Sequence, residues 1–359
     1  MKTFAHEPLV STLPEGFTTR GAVLDDVDTA LKLFNRWSQS VIHEDEITDA
    51  TAIRTEWVSP GFNPAEDILL VFAPLVTSEK FKETSGVASD GEMVGYIEVW
   101  TTSKPPIHPW LWARVDPRYE GQGIGTYLLH WGEARARKAM DRVPEELRVA
   151  PQVGTYRQAE LAKKLFADMG YQHVRSFYTM RINMDTPPIA PEWPTGITLR
   201  TYNPETDLEA VYRAVDDSFR DHYGHVDTPF EEGLERFKHF MTGYEGFDPK
   251  LWFLAMDGDE IAGICLCRDK AYDSPDVGYI NILGVLRPWR KRGIGLALLQ
   301  HSFCELYRRG KRAAGLGVDA QSLTGALRLY ENAGMHVHQA FDRYEKEFRP
   351  GKEISVQSL

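Results

Sequence analysis

Apolar and polar positions along the second half of the chain follow two rhythms, one of period two and one near 3.6. Ile197–Thr201 reads as a strand, and Asp207–Phe219 places its apolar residues at helical spacing. Leu251–Met256 and Ile261–Arg268 are apolar runs joined through Asp257-Gly258, a strong hairpin-turn signal. Gly278–Val285 is a further strand rich in β-formers, and Gly295–Arg309 is a helix that Gly310 is placed to stop. Arg312–Val318 reads as a strand, Thr324–Ala333 as a helix stopped by Gly334, and His336–Phe348 as a final pair of short strands. The first half reads the same way, with extra residues around Thr77–Gly91. Strands and helices in this order predict an α/β (α+β) domain on a mixed sheet.

The two halves share more than rhythm. Asp116–Gly125 followed by Thr126–Leu129 parallels Arg287–Gly295 followed by Leu296–Leu299. Downstream, Leu165–Tyr171 parallels Leu329–Met335, and upstream Thr18–Leu24 parallels Ile197–Thr201. The offset of roughly 165–180 residues far exceeds the ~20–50 of a solenoid repeat, so the chain is a duplicated domain. Between the copies, Asp185–Gly196 holds four prolines in twelve residues, which sustains neither a helix nor a central strand. The expected boundary is near Pro191, giving domains 1–190 and 191–359, with Arg349–Leu359 as a frayed tail.

Composition narrows the function. The length of 359 residues suits two cores, and 42% hydrophobic with 26% charged residues is ordinary for a globular protein. A net charge of −11 argues against nucleic acid as a partner. Three cysteines exclude a disulfide scaffold and suit a reducing cytoplasm. Met1–Phe17 has no apolar signal core, and the longest apolar runs, Ile68–Val76 and Leu251–Met256, are too short to span a bilayer. The expectation is a cytoplasmic chain without membrane attachment, either a monomer or a homodimer.

One segment stands out chemically. Arg290, Lys291, Arg292, Gly293, Ile294 and Gly295 follow an apolar strand and open a helix. Glycines there allow a tight turn, and the helix end offers unpaired N–H groups and partial positive charge to a phosphate. A Walker loop is absent, and a dinucleotide fingerprint would need a small residue at position 298, which is Leu. Taken alone, the G-x-G reads more readily as a glycine turn with solvated basic residues than as a phosphate site.

Its surroundings decide the matter. Arg290-x-x-Gly293-x-Gly295 resembles the acyl-CoA signature of the Gcn5-related N-acetyltransferases, and Leu283-Gly284-Val285 before it resembles their splayed fourth strand. Ala326–Gly334 is similar to the family's A-x-x-L-Y-E-x-x-G helix. The resemblance covers both halves, so the chain looks like two tandem GNAT acyl-CoA N-acyltransferase domains, similar in plan to the mycothiol synthase group.

That resemblance implies acetyl-CoA as cosubstrate, held by Leu283, Gly284 and Val285 along the pantetheine and by Arg290 to Leu296 at the pyrophosphate. Tyr330 takes the position of the proton donor, and the Val285 amide that of the donor to the thioester oxygen. The base is open: Tyr279, Asp273 and Asp276 are all near the start of that strand. His222 and Tyr223 follow the first helix, where the family builds its acceptor pocket. No metal is expected, since Cys265 and Cys267 supply only two donors and read, with Cys304, as core. The implied activity is direct acetyl transfer to a primary amine of a small molecule or a protein. A longer acyl donor, or a degenerate acyl-CoA-binding sensor or scaffold, are the alternatives.

The halves differ where it matters. Glu120 occupies the place of Arg290 and Phe166 that of Tyr330. Pro109 heads the strand Trp110–Val115 and is expected to disturb its splay. The first domain therefore reads as degenerate and the second as catalytic.

Overall fold

The computed structural model describes residues 12–74, 91–244, 246–322 and 325–357, so the extra residues read around Thr77–Gly91 lie outside the described residues but for Gly91. By contacts the chain forms two compact units, Met1–Val174 with Arg343–Glu353, and Arg175–Asp342 with Ile354–Leu359.

In the first unit the order is β1 (Thr18–Arg20), α1 (Val27–Val41), α2 (Ala50–Trp57), the single turn α3 (Pro64–Asp67), β2 (Ile68–Ala73) and β3 (Glu92–Trp100), then β4 (Trp110–Val115), α4 (Ile124–Lys138), β5 (Gln152–Tyr156) and α5 (Glu160–Asp168). Strands β1 to β4 pair antiparallel in sequence order, and β5 joins β4 in parallel. Strand β2 is apolar throughout because both of its faces are covered. Leu69, Val71 and Ala73 enter the core with Ile124 and Leu128 of α4, while Ile68, Leu70 and Phe72 enter the core with Leu33 and Phe34 of α1.

The second unit repeats the plan. Its elements are β6 (Gln172–Asn183), β7 (Ile197–Thr201), α6 (Leu208–Phe219), α7 (Phe230–Thr242), β8 (Trp252–Asp257), β9 (Glu260–Arg268) and β10 (Val277–Val285), then α8 (Ile294–Arg308), β11 (Ala313–Asp319), α9 (Ala326–Asn332) and β12 (His336–Glu345). Strands β7 to β10 are antiparallel, β10 and β11 are parallel, and β6 closes antiparallel on β11. Again β8 feeds two cores, Phe253 and Ala255 toward α8, Trp252 and Leu254 toward α6. The copies share their first turn as well. Arg20 holds Asp26 through two 2.7 Å hydrogen bonds, and Asp207 holds Arg200 and the amide of Asn203 in the same way.

Three readings of the sequence change. Residues Phe177–Asn183 of β6 pair with β11, so contacts divide the chain upstream of the proline linker. His336–Glu345 is one strand rather than two, for it contains no Gly or Pro to turn it. The terminal segment is not frayed. Lys352 N–H donates to Glu146 O (2.7 Å), and Val356 O accepts from Gly224 N–H (2.7 Å). No helix among the described residues is long and apolar enough to cross a membrane.

Candidate active site

Parallel pairing of β10 with β11 runs from Val277–Ala313 to Ile280–Leu316 and goes no further. Beyond Ile280, β10 keeps its partner β9 but leaves β11, so the sheet opens into a wedge. A bulge marks the parting, since the β9 register shifts between Ile280 and Ile282 around Asn281.

The ladder then determines which backbone groups face the wedge. Leu286 N–H donates to Ala262 O (3.1 Å), and residues opposite one another in an antiparallel ladder alternate between bonded and unbonded pairs. By that alternation Gly284 bonds to β9, while Leu283 and Val285 turn their N–H and C=O groups toward the opening. The Val285 carbonyl is taken by Arg290 Nε at 3.0 Å.

Where β10 ends, the chain makes a 3-10 turn at Arg287–Trp289 and enters α8 through Gly293, which adopts φ 88°. No side chain caps this helix, so the amides of Ile294, Gly295 and Leu296 are the donors that an α-helix leaves unpaired; Ala297 is the first to bond back, to Gly293 O. Gly295 serves packing instead. A β-carbon there would meet Leu329 at 3.3 Å and Val285 at 3.5 Å. These donors, fixed by backbone alone, fit a diphosphate.

The basic cluster is less available than its sequence suggests. Arg290 is turned inward, onto Val285 O, Ser218 O (3.2 Å) and Asp221 (3.1 Å). Arg287 also pairs with Asp221, and the two guanidiniums, Arg287 foremost, hold that carboxyl below its ordinary range. Arg292 lies 3.6 Å from Asp257. Lys291 is exposed and has no acidic partner among the described residues. It also sits at φ 62°, left-handed backbone that costs a side-chain-bearing residue about 1 kcal/mol.

Tyr330 projects from α9 into the α8-side core and is 7% exposed. Its hydroxyl has no hydrogen-bond partner among the described residues. Burial, then the neighbouring Cys265 and Tyr279, push its pKa up, so it stays protonated. Tyr279 faces the other side of the sheet. Its ring lies over Gly315 and its hydroxyl beside Gly317, the first β11 residue beyond the parting. Burial, with Tyr272 and Asp273 nearby, pushes its pKa to about 12.

The other candidates divide. The segment after α6 reaches both arms of the wedge. Asp221 grips Arg287 and Arg290, and Tyr223 stacks on Arg175 (4.5 Å), which pairs with Asp319 at the end of β11. His222 lies between them, half-buried, and burial and Arg290 lower its pKa. Asp273 is paired with Arg181 at 2.9 Å. Asp276 is exposed in the turn before β10, four residues from the parting, about 13 Å along a strand, and is not brought to the wedge.

The first unit keeps the backbone of this loop and changes its side chains. Glu120 (φ −63°, ψ 154°) matches Arg290 (φ −62°, ψ 155°), Gly121 at φ 75° matches Lys291, and Gly123 at φ 85° matches Gly293. Strand β4 also leaves β5 after Leu111–Val153, so Pro109 does not prevent the splay: its carbonyl accepts from Gln152 N–H at 2.8 Å. Yet β4 pairs with β3 without a bulge, Glu120 replaces the arginine, and Phe166 is buried where Tyr330 would be.

A sheet opened beside an uncapped helix end, with a buried phenol in the core behind them, is compatible with an acyl-CoA transferase. Residues 208–335 match the acetyltransferase (GNAT) family and residues 82–173 an acetyltransferase (GNAT) domain. Mycothiol acetyltransferase of Thermomonospora curvata is 30% identical over 229 residues, covering 62% of this chain and 74% of the relative; that of Thermobispora bispora is 28% identical over 249 residues, 68% and 77%. A GCN5-related N-acetyltransferase from Sphaerobacter thermophilus superposes with a TM-score of 0.77 at 35% identity, covering 97% of this chain and all of that one. A tandem GNAT protein from the clavulanic acid biosynthesis pathway shares the fold, with a TM-score of 0.67 at 15% identity over 94% of this chain and all of that one. The chain belongs to the GCN5-related N-acetyltransferase family, in a tandem, mycothiol synthase-like form, and is an N-acetyltransferase that takes acetyl-CoA as its cosubstrate.

Proposed function

We propose that the C-terminal domain transfers the acetyl group of acetyl-CoA directly to a primary amine of a small molecule. One observation carries this reading: β10 parts from β11 just before the uncapped start of α8, and the unpartnered Tyr330 hydroxyl belongs to a residue in the core that β10 and α8 share. Its counterpart in the first unit lacks the bulge and the phenol. The mycothiol acetyltransferases among the relatives support a small amine-bearing acceptor.

Acetyl-CoA supplies the activated acyl group. The amides of Ile294, Gly295 and Leu296, with Gly293 making the turn, receive the diphosphate, while Lys291 and Arg292 add positive charge. Arg290 acts here as a clamp that holds the loop to β10. Leu283, Gly284 and Val285 bind the pantetheine by backbone, and the Val285 N–H, with that of Leu283, is the donor for the thioester oxygen. Tyr330 holds a proton at Oη for the departing sulfur. On the acceptor side, Tyr279 offers a hydroxyl at the parting, and His222 and Tyr223 line the mouth.

Tyr330→Phe tests this. Acetylation of an amine panel, read by thiol release, should fall at least a hundredfold while CoA affinity stays near native. Unchanged turnover would sink the role of Tyr330. CoA binding with no turnover of any amine by the native protein would make the chain a binding module.

A further inference from the structure

Across the sheet, Tyr279 pairs with Arg268 on β9 and with Gly315 on β11. Cross-strand partners point to one face, so Arg268, the Tyr279 ring and the glycine it covers form one row on the side away from α8. That row borders the parting where an acceptor amine must meet the thioester.

Arg268 is unlike its neighbours in charge balance. Arg181 has Asp273 at 2.9 Å and Arg175 has Asp319 at 2.6 Å. Arg268 has no carboxylate within ion-pair distance among the described residues. Its Nη2 donates to Phe240 O (3.1 Å) on α7, and its Nε is buried without a partner. Two aromatic rings hold the guanidinium plane, Tyr244 at 4.1 Å and Tyr272 at 4.9 Å. Aromatic faces fix a cation in place without neutralising it. A half-buried guanidinium of fixed orientation, uncompensated in a chain of net charge −11, is suited to a planar oxyanion that arrives with a ligand.

We propose that Arg268 is the anion seat of the acceptor pocket, so that the acceptor is an amine that also carries a carboxylate. The seat rests on the acceptor reading of this face given above. Strand β9 lies two strand spacings from β11, about 10 Å, and Tyr279 spans the interval. Amine and acid are thus separated by several bonds, as in an ω-amino acid or short peptide, rather than sharing one carbon.

The test uses three probes of equal reach: 6-aminohexanoate, its amide, and hexylamine. Binding to the full-length protein saturated with CoA is measured by calorimetry, and acetylation by thiol release. The native protein should favour the acid over the amide by about tenfold or more in both measurements. Arg268→Gln should bring the acid-to-amide ratio to within about twofold, and Arg268→Lys should keep part of it. Equal binding of acid and amide to the native complex overturns the proposal, as does an Arg268→Gln variant that weakens all probes in proportion, the mark of a helix-capping residue alone. If the acid is preferred, the ratio collapses in Arg268→Gln, and nothing is acetylated, the anion seat stands and the transferase reading fails.

Discussion

The carboxylate of Asp221 lies 3.1 Å from Nη1 of Arg290 and also accepts from Arg287, so one acid after α6 is shared by two cations beside the entrance to α8. A diphosphate arriving there competes with Asp221 for Arg287, which is 62% exposed in its side chain. Asp221→Asn should therefore tighten acetyl-CoA binding about two- to fivefold at low ionic strength, the scale of an exposed charge pair. The gain should fade above about 0.5 M salt as screening shortens its reach. Calorimetric titration at two salt concentrations checks it; weaker binding would mean that the grip of Asp221 on the loop outweighs its competition.

Glu120 gives the opposite charge to a loop with the same backbone. Its carboxyl is raised by burial and then by the charge of Asp116, and no partner neutralises it among the described residues. A raised carboxyl pKa means that, as pH falls, the negative charge is lost sooner than from an ordinary glutamate. The native protein should bind one equivalent of CoA tightly at pH 8, with a second, weaker equivalent emerging on acidification. Glu120→Gln should show the second equivalent at both pH values, and no added turnover, because Phe166 supplies no proton. Two equal sites in the native protein at pH 8 would contradict the repulsion.

Much of this was legible because hydrophobic periodicity and glycine placement are local signals. The Asp257-Gly258 hairpin, β10, the stop at Gly310 and the entry to α8 all follow from neighbours in sequence. Ion pairing is not local. Arg290 reads as a solvated cation until the fold brings Asp221, 69 residues upstream, against it. The bulge at Asn281 leaves no mark in composition, and the seclusion of Arg268 depends on tyrosines from two separate segments. Asp276 looks close to the site in sequence, yet it occupies the wrong end of its strand.

Lys291 occupies a left-handed position that its counterpart Gly121 fills without strain. Replacing it by glycine relieves about 1 kcal/mol of backbone strain but gives the unfolded chain about 0.4–1 kcal/mol more entropy, so the two effects nearly cancel. Lys291→Gly should leave urea stability within about 0.5 kcal/mol of native. Since Lys291 is the cation of the loop without an acidic partner, the same variant should weaken acetyl-CoA two- to fivefold at low salt. Stability and affinity would thus separate. A variant stabilised by more than 1 kcal/mol with unchanged affinity would make the lysine incidental.

The pH dependence of turnover follows from the two tyrosines. An ordinary phenol has its pKa near 10 and as a proton donor would bend the rate downward there. Burial, before any neighbouring charge, pushes Tyr330 higher, and Tyr279 stands at about 12. The acceptor must lose a proton before it can attack, so kcat/KM should rise with pH through the acceptor's own pKa. It should show no downturn up to about pH 10, because the donor is still protonated. Cys265→Ala removes the neighbour that raises Tyr330 most but leaves the burial that dominates, so it should move any alkaline fall only slightly. A descending limb centred below pH 10 in the native enzyme, absent in Tyr330→Phe, would show instead that the phenol is solvated during turnover and that the wedge opens wider in the cycle than it stands here.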